Sequence, residues 1–260
     1  MNLTNDFLIQ AQGCIERVFR SYREEQIKMS GNIETSMKAN HTVVTELDKT
    51  IEKVLRAELL KFDSSIGIEG EELGIEGSRE TYWLVDPIDG TDSFVRGIPI
   101  YRNVVTLIDN GQPVFALVYR PVTDELFVAA EGEGVHRNGK PVSIGNRPLE
   151  RSTIDIMGRL DDLDIQSAIR AIQPSIDGVR RTSDFLPVVQ GQLDGQLSLN
   201  TGAGPWDFAP RALLIREAGG RVANIGSDTY DFRINNFLGT NSIIFDDLMD
   251  SIVKATRKND

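Results

Sequence analysis

From Thr81 to Ala130 the chain alternates short apolar runs with turn residues at hairpin spacing, and nothing else in it restricts the fold as tightly. Tyr82-Trp83-Leu84-Val85 has the length and composition of a buried strand, and Asp86-Pro87 stops it. Asn103–Ile108, Val114–Tyr119 and Glu125–Ala130 repeat the pattern. Asp109-Asn110-Gly111 and Pro121-Val122-Thr123-Asp124 separate them as hairpin-type turns, and Asn138-Gly139 marks one more. The expectation is an antiparallel meander.

Upstream the period is helical. Phe7, Ala11, Cys14, Ile15, Val18 and Tyr22 fall on one face, and Ser30-Gly31-Asn32 ends that helix. A polar stretch from Glu34 to His41 leads to Thr45, the predicted N-cap of a second helix whose buried stripe is Leu47, Ile51, Val54 and Leu55. Downstream, Gly145-Asn146-Arg147-Pro148 is the candidate boundary, dividing the chain into domains 1–147 and 148–260. Beyond it the elements alternate. Strands are predicted near Ile154, near Val179, at Gln196–Leu199 and near Leu238–Ile244, and helices at Leu163–Ile172, at Leu186–Gln192 and from Asp246. A strong helix carries Phe208, Ala209, Ala212, Leu213 and Ile215, closed by Gly219-Gly220. The layout is helices with an antiparallel sheet, then an α/β half.

Composition narrows the function. With 260 residues, 40% hydrophobic and 26% charged, the chain is an ordinary globular protein. No apolar run approaches the roughly 18 residues of a membrane span, and the first residues lack a signal-peptide pattern, so a cytoplasmic protein without membrane partners is expected. A net charge of −11 argues against nucleic acid as the partner. One cysteine, Cys14, and two distant histidines, His41 and His136, leave little room for a zinc cluster or a Ser-His-Asp triad.

The chemistry concentrates in Trp83-Leu84-Val85-Asp86-Pro87-Ile88-Asp89-Gly90-Thr91. Two carboxylates stand three residues apart at the end of a buried strand, with Pro87 stiffening the turn between them. Gly90 permits close backbone approach, and Thr91-Asp92-Ser93-Phe94 can open a short helix whose free N–H groups suit an anion. Carboxylates for a cation beside amides for an anion are the parts of metal-assisted phosphoryl chemistry. Other acids read more plainly. Gly70-Glu71-Glu72 is by itself a solvated turn, Asp207 a helix N-cap, and Asp48 an acid in a helix first turn; Lys38 is a solvated lysine.

In order along the chain, Val44-Thr45-Glu46-Leu47-Asp48, Gly70-Glu71-Glu72, Trp83 to Phe94, Glu131-Gly132-Glu133-Gly134 with Asn138-Gly139, and Trp206-Asp207 through Glu217-Ala218-Gly219-Gly220 together resemble the inositol monophosphatase superfamily of magnesium-dependent, lithium-sensitive phosphatases. The resemblance implies an α+β / α/β fold, an αβαβα layered sandwich with the site between its two halves. It further implies two or three Mg2+ ions. Glu71, Asp86 and the Ile88 carbonyl would hold the first, and Asp86, Asp89 and Asp207 the second, with Glu71 reaching a third through water. Glu71 and Thr91 would orient the attacking water, Asp48 would support Thr91, and the amides of Gly90 and Thr91 would grip the phosphate. Asp89 and Asp207 would also border the substrate, Lys38 would lie in a lid, and a homodimer is expected. On this map Asp89→Asn abolishes turnover with little loss of fold.

The leaving-group end departs from the inositol-hydrolysing pattern. Arg180-Arg181-Thr182-Ser183-Asp184-Phe185 replaces a small-residue stretch, and Asn200 stands where a carboxylate would bind ring hydroxyls. With Ser93-Phe94-Val95-Arg96-Gly97-Ile98-Pro99, this region looks closer to histidinol-phosphate phosphatases, in which Asp184 would face the substrate amine; an ion pair of Asp184 with Arg180 or Arg181 is the plainer alternative. The expected partner is a small phosphate monoester, with histidinol phosphate as the alternative to an inositol phosphate. A non-catalytic metal-binding or regulatory protein is the reading from another class.

Overall fold

The computed structural model describes residues 4–32, 37–159 and 161–256, with backbone alone at 37–45. Contacts group the chain into two compact units: Met1–Glu131 with His136–Lys140, and Gly132–Val135 with Pro141–Asp260.

The first unit opens with α1 (Asn5–Ser21), whose N-cap Thr4 accepts from the Phe7 N–H, and after a break at Tyr22 continues as α2 (Arg23–Met29). Then comes α3 (Met37–Phe62). Because α3 begins at Met37, Thr45 is not its N-cap and Asp48 is not in its first turn: both lie inside a helix of 26 residues. The physical reason is that no glycine or proline interrupts the chain from 37 to 62, so the polar stretch propagates the helix instead of delaying it. The strands follow as β1 (Gly67–Gly70), β2 (Gly74–Glu76) and β3 (Thr81–Asp89); then come helix α4 (Thr91–Val95), β4 (Arg102–Asp109), β5 (Gln112–Arg120) and β6 (Glu125–Ala130). With β7 (Gly134–Arg137) and β8 (Lys140–Val142) they form a sheet of order β2-β1-β3-β4-β5-β6-β7-β8.

The predicted meander is β3-β4-β5-β6, antiparallel throughout. Its first hairpin turns on Asn110 (φ 48°) and Gly111 (φ 77°), the left-handed pair that a two-residue loop demands. The strands β1 and β2 went unpredicted, being short and glycine-rich. They matter because β1 pairs with β3 in parallel, Gly70 against Val85, which brings Glu71 alongside the end of β3. Helices α1 and α3 supply Ile15, Phe19, Ile51 and Leu55 to a core that also takes Trp83, Val85, Val105 and Leu117. Alternation along β3 then turns Asp86 to the other face of the sheet.

The second unit comprises β9 (Thr153–Met157), α5 (Leu163–Ile172), β10 (Gly178–Arg180), α6 (Leu186–Val189), β11 (Gly195–Leu199), α7 (Pro205–Glu217), β12 (Gly220–Ala223), β13 (Asn236–Asn241) and α8 (Phe245–Thr256). Its sheet runs β10-β9-β11-β13-β12, parallel at β9 and antiparallel at β13. Ile165, Ala168, Leu248 and Ile252 of α5 and α8 cover Ile154, Ile156, Leu197 and Leu238. On the opposite face Ser198 meets Arg211 of α7. Among the described residues no helix is long and apolar enough to cross a membrane.

Candidate active site

Pro87 sits within β3 and denies the ladder a donor, and the pairing of β3 with β4 shifts between Asp86 and Asp89. This bulge changes the direction of successive side chains, so Asp86 and Asp89 come together: both are buried, and carboxylate oxygens of the two lie within 4.8 Å. Immediately after, Gly90 takes φ 88°, a left-handed turn that starts α4 and that any side chain would strain. Thr91 Oγ1 donates to the Ile88 carbonyl at 3.2 Å, tying the turn closed.

Two neighbours on β4 hold the bulge from opposite faces. Arg102 lies opposite Asp89 in the register, and its Nε donates to Asp89 Oδ2 at 2.6 Å. Asn103 turns the other way and donates through Nδ2 to the Pro87 carbonyl and, at 2.8 Å, to Gln26 Oε1 on α2. Gln26 and Asn103 are wholly buried. No motif identified these three residues in the sequence. The usable signal was the polar pair Arg102-Asn103 at the head of an apolar strand.

Glu71 is exposed at the end of β1, where its N–H donates to the Val85 carbonyl at 3.1 Å. The turn that presents it is organised by Glu52 of α3, fully buried, whose carboxylate accepts from the N–H groups of Glu72 (3.0 Å) and Leu73 (3.2 Å) and from Arg56 Nε (2.9 Å). Gly70 is required for this reason: a Cβ there would collide with the Glu52 carboxylate. Asp48, one turn before Glu52, is 4% exposed and its Oδ1 has no hydrogen-bond partner. Burial, and then the negative charges of Glu72, Glu71 and Glu52, push its carboxyl up to about 8. Asp48, Glu52, Glu71 and Glu72 thus form an acidic nest in which Arg56 offsets the charge of Glu52. All its donors are oxygens, the set that a hard divalent cation prefers. The residues therefore fit a metal of that class.

In the second unit Asp207 is not the N-cap of α7. Gly204 is, and Asp207 stands at the third helical position, where Oδ2 accepts from the Gly204 N–H at 2.7 Å, the return half of a capping box. Glu217 accepts from the Gly134 N–H at 3.0 Å, which joins the Glu-x-x-Gly and Glu-Ala-Gly-Gly segments. Asp184 is buried, and its Oδ1 accepts from the Leu186 N–H at 3.1 Å, just before α6. Asn200 is exposed, in a left-handed turn (φ 48°), and donates to Asp162 Oδ2 at 3.0 Å. The side chain of Lys38 lies outside the described residues.

Comparisons with known proteins agree with this arrangement. A family model described as the inositol monophosphatase family matches residues 3–259. An inositol-1-monophosphatase of Mesorhizobium japonicum is 33% identical over 213 residues, 77% of this chain and 79% of that one. The Nus factor SuhB of Pseudomonas aeruginosa is 31% identical over 237 residues, 85% of each chain. The crystal structure of the extragenic suppressor protein suhB from Bartonella henselae superposes with a TM-score of 0.81 at 27% identity, covering 94% of this chain and 99% of that one. The layered mixture of helices and sheets expected from the resemblance is thus the fold found. By its sequence, its fold and the acidic residues gathered on β3, this chain belongs to the inositol monophosphatase family and is a phosphatase of that family.

Proposed function

We propose that the chain is a Mg2+-dependent phosphomonoesterase acting on a small phosphorylated alcohol through attack of water on phosphorus. The observation that carries this reading is the buried pair Asp86 and Asp89 on the β3 bulge, followed directly by the Gly90-Thr91 turn. Glu71, Asp86, the Ile88 carbonyl, Asp89 and Asp207 would hold two or three ions, an all-oxygen set that suits magnesium better than zinc. When bound, such ions neutralise the phosphate and lower the pKa of water.

The chain's own residues do the rest. The Gly90 and Thr91 amides stand at the start of α4, and would bind the phosphate there. Thr91 Oγ1 has its proton committed to the Ile88 carbonyl, so its lone pairs can orient the attacking water opposite Glu71. Asp48 backs this pair, holding a proton or an added positive charge as the nest requires. Asp184, Asn200, Asp89 and Asp207 would border the alcohol, and Lys38 a lid. Asn200 in place of a carboxylate counts against an inositol ring, and histidinol phosphate, with Asp184 near its amine, is the alternative substrate. We place the enzyme in the cytoplasm as a homodimer, without nucleic acid or membrane as partners.

A second reading, a regulatory metal-binding protein without turnover, draws on the relatives named Nus factor SuhB. Phosphate release from inositol 1-phosphate, histidinol phosphate, a nucleotide 3′-phosphate and fructose 1,6-bisphosphate, with Mg2+ and with EDTA, separates the two. Mg2+-dependent release favouring one monoester is expected. Metal binding with no release from any of them would favour the regulatory reading.

A further inference from the structure

The ion pair between Arg102 and Asp89 places a permanent positive charge inside the proposed metal site, and nothing in the reading above requires it. It follows from the fold, because the β3–β4 register sets the two residues opposite each other. Both side chains are buried, 3% and 8% exposed, so solvent screens their interaction weakly. A guanidinium does not lose its proton in a protein, so the charge is present at every working pH. Nε engages Oδ2 at 2.6 Å, and any ion that used both Asp86 and Asp89 would have to share that carboxylate with Arg102.

We propose that Arg102 is a positioning residue that supplies, as part of the chain, some of the positive charge a divalent ion would bring to Asp89. Arg102 orients the Asp89 carboxylate in the absence of metal and weakens the hold on the ion that Asp86 and Asp89 share. The inference rests on the phosphatase site proposed above. It adds that one of the cation positions is held loosely by design of the strand register, and that the divalent ion there exchanges readily.

Calorimetric titration of the full chain with Mn2+ tests this without reference to turnover. Arg102→Met keeps the aliphatic stem and removes the charge; Arg102→Gln also keeps a donor for Asp89 and guards against a variant that fails to fold. Both are expected to bind one Mn2+ at least about tenfold more tightly than the wild type, since a like charge has been removed from a poorly screened site. That gain should vanish in Arg102→Gln/Asp89→Asn, and Arg102→Lys should stay near the wild type. Equal or weaker Mn2+ binding by Arg102→Gln, with wild-type binding lost in Asp86→Asn, overturns the role of Arg102 while leaving the site intact. Identical Mn2+ binding by the wild type and Asp86→Asn overturns the site itself, and the inference with it.

Discussion

The candidate residues of the two units are held in different ways. In the first unit, groups of the site are oriented by residues distant in sequence: Asp89 by Arg102, the Pro87 carbonyl by Asn103, itself held by Gln26, and the backbone after Glu71 by Glu52. Asp48 is left with an oxygen unmatched. In the second unit, Asp184 and Asp207 spend carboxylate oxygens on N–H groups two and three residues away, those of Leu186 and Gly204. A buried carboxylate without local satisfaction is costly, and a fold that keeps several together invites a cation. A locally satisfied one stabilises its own loop first, and any role in binding substrate is added to that.

The contrast is broken most directly at the bulge. Asp86→Asn should reduce turnover by more than the 10–100-fold that changes behind a metal ligand commonly cost, measured as steady-state phosphate release. Asp89→Asn should do the same and also destabilise the fold, because the buried Arg102 loses the carboxylate charge that its Nε engages. The sequence leads to the expectation that Asp89→Asn spares the fold, and the buried ion pair leads to the opposite one. Urea unfolding decides it, and wild-type stability in that variant would mean that Asp89 does not hold Arg102.

A smaller effect is expected one layer out. Glu52→Ala releases the turn that carries Glu71 and should cost roughly 10–100-fold in kcat/KM, with a raised Mg2+ requirement. Unchanged kinetics would detach the Gly70-Glu71-Glu72 turn from the site.

The pH dependence sharpens the same point. The Asp48 carboxyl sits at about 8 in the folded chain, against about 3.9 when unfolded. The folded state therefore binds the extra proton across that interval. Its contribution to stability is complete below the unfolded value and is lost as pH rises through the folded one. Thermal midpoints of the metal-free protein should fall between about pH 5 and pH 8 by up to about ten degrees. Asp48→Asn should flatten that slope, and saturating Mg2+ should flatten it in the wild type. A slope that persists in Asp48→Asn would assign it to other groups.

The smallest changes belong to the second unit. Asp184→Ala should lose about 1 kcal/mol because the Leu186 N–H loses its acceptor, and Asn200→Ala about 1 kcal/mol because Ala is strained in the left-handed turn. Neither should alter phosphate release in the manner of Asp86→Asn. If Asp184→Ala changes the ranking of phosphate monoesters while keeping Mg2+ dependence, the leaving group is selected there.

Much of this is legible in the sequence, where local chemistry decides. The Asp-Pro-x-Asp-Gly-Thr run contains its own strand end, its own proline and its own left-handed glycine, so the turn is written in adjacent residues. The hairpin at Asn110-Gly111 and the helix Leu163–Ile172 were equally local. Reading failed where neighbours come from elsewhere. One apolar face was expected on α7, yet every residue from Phe208 to Ile215 is buried, including Arg211 stacked between the rings of Phe185 and Phe208. Periodicity detects a helix with one covered side and misjudges one covered on several. The α3 start was missed because polarity alone does not end a helix.

By itself, then, the sequence determined the family, the meander and the acids of the proposed site, since each depends on residue types at short fixed spacing. Tertiary structure decided which charges compensate them. Arg102 reaches Asp89 only through a cross-strand register, and Glu52 reaches the Glu72 N–H only because β1 runs parallel to β3 and brings its loop against α3. Burial then removes the water that would otherwise make those partners interchangeable, and so turns a list of acids into a site with its own electrostatic character.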